Sequence, residues 1–449
     1  MSGPRQSTLG IRAVICMGAV GLLIVLVVLH VRYINGPWYW TWPWRRLPAT
    51  QWYLPLALAA APVIAAFYWH ARRPRSVVGP LLLLMIGSGS MKLSSRIVQS
   101  EPPGFTLLAA LVRDSSFTSF YTDAAALKDT PDWLAIYPDV MPLTNLHTQS
   151  KPPGAVAYYR ALIRQFGVND RSAIIGGLGL MFLATLSIPA LYFAARTVTG
   201  DRTAAICASA LLAIVPASVL VSPALDSIFV VPTCAIICTW DRACRDGRVM
   251  WAALTGLILA ATCFVTYNLL VLGVFLALYP FAIERDRRRT VQVLLNSAVA
   301  AGLVFTVFYL LLFAATAFNP ITTFISAWRN QHNLLAANAA DRPFPWTILF
   351  DLTDFALSGA WATVLLAAFG AARLQSAPRR IVVLGFAQIL VVAISGLLQS
   401  ETFRVWQFLL PLILIPASVE LAAWTAPART ALGGSIILAT LVMGQNMQM

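Results

Sequence analysis

Residues 13–31 read AVICMGAVGLLIVLVVLHV, an apolar run without Asp, Glu, Lys or Arg. Runs of this kind are typical of helices that cross a bilayer, because about 20 residues of α-helix span its hydrocarbon core. Similar runs follow along the 449 residues, of which 59% are hydrophobic and only 11% charged. A soluble domain carries about 25% charged residues. The composition therefore predicts a polytopic membrane protein.

The apolar runs predict an all-α protein with about thirteen transmembrane helices, in a single domain over residues 1–449. The first run also resembles a signal peptide, but its length and the runs behind it favour a retained helix. The sixth to eighth segments are short, so we expect them to be tilted, broken or buried. The predicted spans are residues 13–31, 52–70, 77–97, 173–195, 204–222, 226–241, 249–265, 267–283, 291–317, 347–370, 381–398, 405–424 and 430–446.

The formal net charge of +14 invites a nucleic-acid interpretation, but the placement of the basic residues argues against a nucleic-acid partner. They concentrate in the N-terminal segment and in alternate connections, whereas the short connections between these are nearly bare. This positive-inside pattern predicts a cytoplasmic N-terminus. The excess of Arg over Lys and the abundance of Ala indicate a GC-rich bacterial genome, so we expect a multi-pass protein of the bacterial inner membrane.

Two connections on the predicted outer, periplasmic side are too long to be simple links. The first long loop comprises residues 98–172, and the second long loop comprises residues 318–346. In the first, polar residues alternate with aromatic and aliphatic ones between Phe105 and Ile136. This pattern is typical of amphipathic juxtamembrane helices, so we expect the active site in the first long loop.

The first long loop contains NLHTQSKPPG at residues 145–154. Its two prolines end any preceding helix and Gly154 permits a close backbone approach, so His147 and Lys151 are displayed at a fixed place. A lysine ammonium suits phosphate, although an interfacial lysine that reaches lipid headgroups is the alternative. Beside His147 and the stiff Pro-Pro-Gly, phosphate binding is the favoured interpretation.

Charged residues recur near the predicted outer ends of other spans. Glu401 and Arg404, in SETFRVWQFLLP, lie one helical turn apart and form either a self-contained ion pair or an arginine directed at an anionic headgroup. Asp226, Asp351 and Asp354 face a cavity, or else cap and pair helices inside the protein. Polar groups gathered on one face favour an enzyme, since a transporter needs them near the midplane.

These motifs resemble the GT-C superfamily of membrane glycosyltransferases, and within it glycosyltransferase family 39, with its protein mannosyltransferase-like and aminoarabinose transferase-like enzymes. The resemblance rests on the order and sidedness of six segments. They are SFYTDAAAL (119–127), YPDVMPL (137–143), LHTQSKPPG (146–154), ARTVTGDRTAA (195–205), SPALDSIF (222–229) and ETFRVWQFLLP (401–411).

The resemblance implies inverting transfer of a sugar from a polyprenyl-phosphate donor to an acceptor glycan, lipid or protein at the outer face. It implies Asp123 as the general base. Because Asp123 has no acidic residue at the next two positions, Asp129, Asp132 and Asp139 remain alternatives. The implied substrate-binding residues are Tyr121, His147, Lys151, Asp226, Glu401 and Arg404, with Lys151 and Arg404 on the phosphate.

A metal and a cofactor other than the donor substrate are not expected. The first long loop lacks a compact Asp-x-Asp pair, and Cys234 and Cys238 lack further His or Cys ligands nearby. Three other functions remain open at this stage. They are a lipid-linked sugar flippase or other transporter, a scaffold without a ligand, and an outer-face acyl or phospho-group transferase.

Overall fold

The structure is a computed structural model that describes residues 4–36, 42–47, 49–100, 103–284, 286–340, 343–399 and 401–448. Within these residues the chain is helical apart from turns, 3-10 segments and an isolated β-bridge between Trp44 and Met447. The prediction of an all-α protein is therefore confirmed.

The α-helices of the described residues fall into three stretches of chain. The first holds α1 (Pro4–Val28), α2 (Ala49–Arg72), α3 (Val78–Gln99), α4 (Thr106–Arg113), α5 (Phe120–Ala126), α6 (Tyr137–Val140) and α7 (Gly154–Phe166). The second holds α8 (Asp170–Thr185), α9 (Ser187–Thr199), α10 (Arg202–Ile214), α11 (Pro216–Leu220), α12 (Val230–Asp246), α13 (Val249–Cys263), α14 (Gly273–Ile283) and α15 (Arg287–Thr316). The third holds α16 (Pro320–Ala337), α17 (Trp346–Ser358), α18 (Ala362–Arg373), α19 (Ser376–Ser395), α20 (Thr402–Val405), α21 (Leu410–Ala422) and α22 (Ala426–Asn446).

Nine helical segments of the described chain are long and apolar enough to cross a membrane. A tenth exists if α17 and α18, which meet at 93°, count as one broken span. The predicted number of thirteen is thus not confirmed. The physical reason is length, because α10, α13 and the segment Asn268–Ile283 are apolar but too short to cross a bilayer alone. Of the segments expected to be short, the one at 226–241 instead belongs to a full-length span, Leu225–Asp246.

The centre of the bundle is formed by α10 and α21. Every residue of α10 from Ala204 to Ile214 is buried, and this helix packs on α3, α9 and α21. In contrast, α15 exposes most of its apolar side chains, as a helix at the lipid boundary does. The site described below is therefore mounted on a closely packed interior.

A fully buried carboxylate, Glu420, ties the first helix to the last third of the chain. Its Oε2 accepts hydrogen bonds from Arg12, at 3.0 Å, and from the Nε of Arg373. Its Oε1 accepts one from the indole N–H of Trp424 at 3.1 Å. A charge buried among helices is tolerated only when it is paired in this way. Glu420 therefore joins α1, α18 and α21.

The Pro-Pro-Gly segment begins α7 and fixes it against the end of α13. The backbone N–H of Gly154 donates to the carbonyl oxygen of Phe264 at 2.7 Å. A Cβ added at Gly154 would lie 2.5 Å from that same oxygen, so the close approach requires glycine. Lys151 is thereby held at a defined place just before α7.

We predict that Gly154→Ala lowers the free energy of unfolding by about 1–3 kcal/mol, because the added methyl overlaps a backbone oxygen that has little room to move. The fall is measured as a lower Tm of the purified protein in detergent. Gly302→Ala in α15 is the matched control, since a Cβ there meets nothing within 4 Å. An unchanged Tm for Gly154→Ala would contradict the described packing.

Candidate functional site

A polar cavity of about 320 Å³ lies where the two long loops meet the segments before α12 and α21. Its walls come from parts of the chain that are far apart in sequence. The cavity brings together five side chains that the sequence analysis selected, namely His147, Lys151, Asp226, Glu401 and Arg404.

Arg404 is the best-anchored cation of the cavity. Its Nη2 lies 2.5 Å from Oε2 of Glu401, and its Nε lies 3.8 Å from Oδ2 of Asp226. Its Nη1 donates to the carbonyl oxygen of Phe117 at 3.2 Å, and the guanidinium lies over the Phe117 ring. The expected Glu401–Arg404 pair is therefore present, and Asp226 adds a second carboxylate to it.

Lys151 reaches the cavity from the other side. Its Nζ donates to Oδ1 of Asn268 at 2.8 Å, and its carbonyl oxygen accepts a hydrogen bond from the hydroxyl of Tyr137 at 3.0 Å. Burial lowers the pKa of Lys151, and the carboxylate of Asp226 acts in the opposite direction. The ammonium is thus held inside a pocket that can receive an anion.

Two buried donors at this site have no hydrogen-bond partner among the described residues. They are Nε of Arg404 and Nδ2 of Asn268. Nε of Arg404 faces Oδ2 of Asp226 at 3.8 Å, and Asn268 is not among the residues that line the cavity, so these two donors do not mark a ligand position. The case for phosphate rests instead on the arginine and lysine side chains of the cavity, because these are the side chains that bind phosphate best.

His147 is anchored in the same wall. Its Nε2 donates to the carbonyl oxygen of Ser116 at 2.9 Å, and its backbone N–H donates to Oγ of Ser119 at 3.4 Å. Burial lowers the pKa of the imidazole, and the positive charge of Arg404 lowers it further. The ring is therefore neutral near pH 7 and can orient a ligand without adding charge.

Asp123 and Tyr121 are not among the residues that line this cavity. The buried carboxylate of Asp123 accepts hydrogen bonds from Asn145, at 2.7 Å from the side-chain amide and 3.3 Å from the backbone N–H. Phe120, at the start of the same helix, does line the cavity. Asp123 therefore lies behind the residues that line the cavity.

Tyr121 has a packing role in the structure. Its hydroxyl donates to the carbonyl oxygen of Asn169 at 3.0 Å and lies 2.7 Å from Oγ of Ser172, at the start of α8. These contacts fix α5 against α8 and turn the tyrosine away from the cavity, in contrast to the expected contact with substrate. The alternative bases Asp129, Asp132 and Asp139 are exposed and also lie outside the cavity lining.

Asp354 fixes the backbone of the short segment that carries Arg404. Its Oδ2 accepts the backbone N–H of Phe403 at 2.8 Å and the hydroxyl of Thr402 at 3.2 Å. The same hydroxyl lies 2.7 Å from the carbonyl oxygen of Asp351. Of the two interpretations left open, internal capping is the one that the contacts of Asp354 support. It is a positioning residue for Arg404.

Several amide side chains of the site were not identified from the sequence. Gln331 and Asn338, on the second long loop, and Gln399 line the cavity, and Asn268 holds Lys151. Amides are common in loops, so they carry no distinguishing signal by themselves. The length of the second long loop was the one available indication.

No group of three or more His, Cys, Asp or Glu side chains able to hold a metal ion occurs in the described part of the chain. Cys234 and Cys238 are free thiols on α12, and Cys234 is fully buried among apolar side chains. The carboxylates that line the cavity, Asp226 and Glu401, both face Arg404. The cavity therefore contains charges of both signs, with Lys151 as its second cation.

Residues 150–314 match the model of a family described as dolichyl-phosphate-mannose-protein mannosyltransferase. The fold is similar to that of the archaeal oligosaccharyltransferase AglB from Archaeoglobus fulgidus, solved in complex with an inhibitory peptide and a dolichol-phosphate, with a TM-score of 0.50 and 12% sequence identity. The match covers 84% of this chain and 56% of AglB, so this chain spans little more than half of that protein's length. No curated protein matches the sequence. The resemblance to GT-C membrane glycosyltransferases is confirmed by the family match and the shared fold.

The lowered pKa of His147 predicts a pH-dependent stability. An unfolded histidine titrates near about pH 6.5, whereas the folded protein disfavours the imidazolium, so stability is lost as pH falls through that value. We expect Tm to fall more between about pH 7.5 and about pH 5.5 in the wild type than in His147→Asn. The exposed His332→Asn is the control and should behave like the wild type. Equal losses in all three proteins would contradict the lowered pKa of His147.

Proposed function

We propose that the protein is a metal-independent membrane glycosyltransferase that moves a sugar from a polyprenyl-phosphate donor to an acceptor at the periplasmic face, with inversion at the anomeric carbon. One observation carries the proposal. Lys151 and Arg404, from distant parts of the chain, line the same cavity. The positive-inside pattern supports the orientation, with the two long loops outside.

In the proposed reaction the bond between the anomeric carbon and the phosphate oxygen breaks, and a bond to the acceptor oxygen forms. The polyprenyl phosphate leaves with the bonding electrons, so negative charge grows on its oxygens. Cations fixed beside those oxygens stabilise the transition state more than the ground state. Lys151 and Arg404 have this role, and Asp226 and Glu401 keep Arg404 in place.

An apolar groove beside the cavity supports a lipid-linked donor. It has a volume of about 590 Å³, lies between α13, α15 and α16, and is lined by aromatic and aliphatic side chains that include Tyr267, Tyr309 and Phe324. Tyr267 immediately precedes Asn268, the residue that binds Lys151. An isoprenoid tail in this groove would place its phosphate beside the ammonium group.

Asp123 is the proposed general base that takes the proton from the acceptor hydroxyl. The other carboxylates near the cavity, Asp226 and Glu401, both form ion pairs with Arg404 and hold that side chain in place. Asp123 is bonded by the neutral amide of Asn145. Catalytic hydrogen bonds often tighten only when substrate binds, so a position next to the cavity is compatible with this role.

We predict that Lys151→Met weakens binding of polyprenyl phosphate by about tenfold or more, because a charge-assisted hydrogen bond contributes about 1.5–3 kcal/mol. The Kd is measured on the full-length protein in nanodiscs. Lys128→Met is the matched control, because Lys128 is exposed and pairs with Asp129 away from the cavity. A large fall in Tm without a change in Kd would show that Lys151 is structural.

We predict that Asp123→Asn lowers turnover by about 10²- to 10⁴-fold while donor binding is kept, because the amide cannot accept the acceptor's proton. Turnover is measured as release of polyprenyl phosphate from farnesyl-phosphoryl sugars, with native membranes as the source of acceptor. The exposed Asp139→Asn is the control. Retained turnover in Asp123→Asn would disprove the base assignment. Binding without any release by the wild type would instead favour a flippase or transporter.

A further inference from the structure

We propose that the sugar acceptor is a membrane lipid, whose chain lies in a second apolar groove beside the cavity and whose hydroxyl group enters the cavity. This second groove has a volume of about 300 Å³ and lies between α8, the start of α12 and the end of α13. The inference rests on the proposed function and deepens it, because it names the chemical class of the acceptor and the part of the structure that binds it.

The second groove and the cavity share a wall. Phe229 is among the residues that line each of them, and it follows Asp226, a cavity residue, by three positions. At the end of α13, Val265 lines the second groove and its neighbour Thr266 lines the cavity. The two spaces are therefore adjacent, and a molecule whose chain lies in the second groove has its polar end beside the cavity.

The end of α13 separates the second groove from the groove proposed for the isoprenoid tail, the donor groove. Thr262 and Val265 line the second groove, whereas Cys263 and Tyr267 line the donor groove. Side chains at these positions point to different sides of a helix. Two chains can therefore lie on either side of the end of α13 while their polar ends meet in one cavity, as a transfer between two lipids requires.

The lining of the second groove suits a hydrocarbon chain and does not suit a peptide or a glycan. Among the described residues that line it, Thr262 is the one polar side chain, and its hydroxyl donates to the carbonyl oxygen of Ile258 at 2.7 Å. A peptide or a sugar in this groove would have unpaired polar groups, which is costly away from water. Two of its walls belong to segments long and apolar enough to cross a membrane, Asp170–Thr199 and Leu225–Asp246.

The two grooves assign a place to each reactant. The hydroxyl oxygen of the acceptor lipid forms the new bond to the anomeric carbon, and its proton passes to Asp123. The bond from that carbon to the phosphate oxygen breaks, and the polyprenyl phosphate leaves with the bonding electrons beside Lys151 and Arg404. The products are a glycosylated lipid, whose chain lies in the second groove, and polyprenyl phosphate, whose tail lies in the donor groove.

The test places one tryptophan in each groove. Ala261→Trp fills the second groove from an exposed position of α13, and Thr306→Trp fills the donor groove from an exposed position of α15. We expect Ala261→Trp to raise the KM for a lipid extract of native membranes by about tenfold or more, because excluding about two methylene groups of the chain causes such a loss. Its Kd for farnesyl phosphate should not change. Thr306→Trp should raise that Kd and leave the KM for the extract unchanged.

Turnover is measured on the full-length protein in nanodiscs with radiolabelled farnesyl-phosphoryl mannose and farnesyl-phosphoryl glucose. The acceptor source is either the lipid extract or the delipidated protein and glycan fraction of the same membranes. We expect acid-stable label in lipid, and only with the extract. Ala298→Trp is the matched control, because Ala298 is exposed on α15 and lines neither groove. If Ala261→Trp does not fold, Leu183→Trp fills the same groove.

Three results would overturn the lipid acceptor. The first is label in protein or in water-soluble glycan. The second is an unchanged KM in the folded groove variant, which would show that bulk membrane lipid fills the second groove. The third is weaker binding of farnesyl phosphate by Ala261→Trp, which would assign the second groove to the donor. Failure of farnesyl phosphate to bind, together with no release of it from either donor, would overturn the proposed function itself.

Discussion

The pairing of Arg404 with Asp226 and Glu401 is the interaction on which the site depends. A guanidinium that is taken out of water needs nearby negative charge, and a single carboxylate on its own helical turn would leave one side of it unpaired. Asp226 supplies the second carboxylate from the segment before α12. The pairing therefore joins two segments that are far apart in the sequence. Lys151, in contrast to Arg404, has no carboxylate as a hydrogen-bond partner among the described residues, because its Nζ donates to the amide of Asn268.

The backbone around these charges is fixed by residues that do not enter the cavity. Asp354 accepts a hydrogen bond from the backbone N–H of Phe403. This bond fixes the backbone from which the Arg404 side chain extends. Arg96 has the corresponding role for Asp226, because its Nε donates to the carbonyl oxygen of Ser222 at 2.6 Å, just after the end of α11. Carbonyl groups left free where a helix ends are satisfied by such a donor. Residues that do not line the cavity, Asp354 and Arg96, thus help to determine its shape.

The parts of the structure that local chemistry determines could be predicted from the sequence. The positions of the apolar helices follow from hydropathy, and Lys151, Arg404 and Asp226 stood out because charges are rare in this chain. The number of spans could not be predicted, since packing inside the bundle accommodates helices too short to cross alone. The break between α17 and α18 falls at Ala360 and Trp361, both with positive φ, and neither residue type indicates such a turn.

The candidate site shows the same limit. Tyr121 lies in the same motif segment as Asp123, but its side chain is directed by a contact with Ser172 of α8. The local sequence does not reveal this contact. Gln331, Asn338 and Asn268 were missed because an amide becomes informative only when its neighbours in space are known. Asp123 remains a prediction, since its place next to the cavity agrees with its proposed role without testing it.

The buried Glu420 has a consequence for the biosynthesis of the protein. Arg12 and Glu420 are separated by 408 residues, so their ion pair cannot form until most of the chain has left the ribosome. Until then α1 lacks its partners α18, α21 and α22. The helix α1 is therefore locked in place long after it has been synthesised, and closure of the bundle is a late event in assembly.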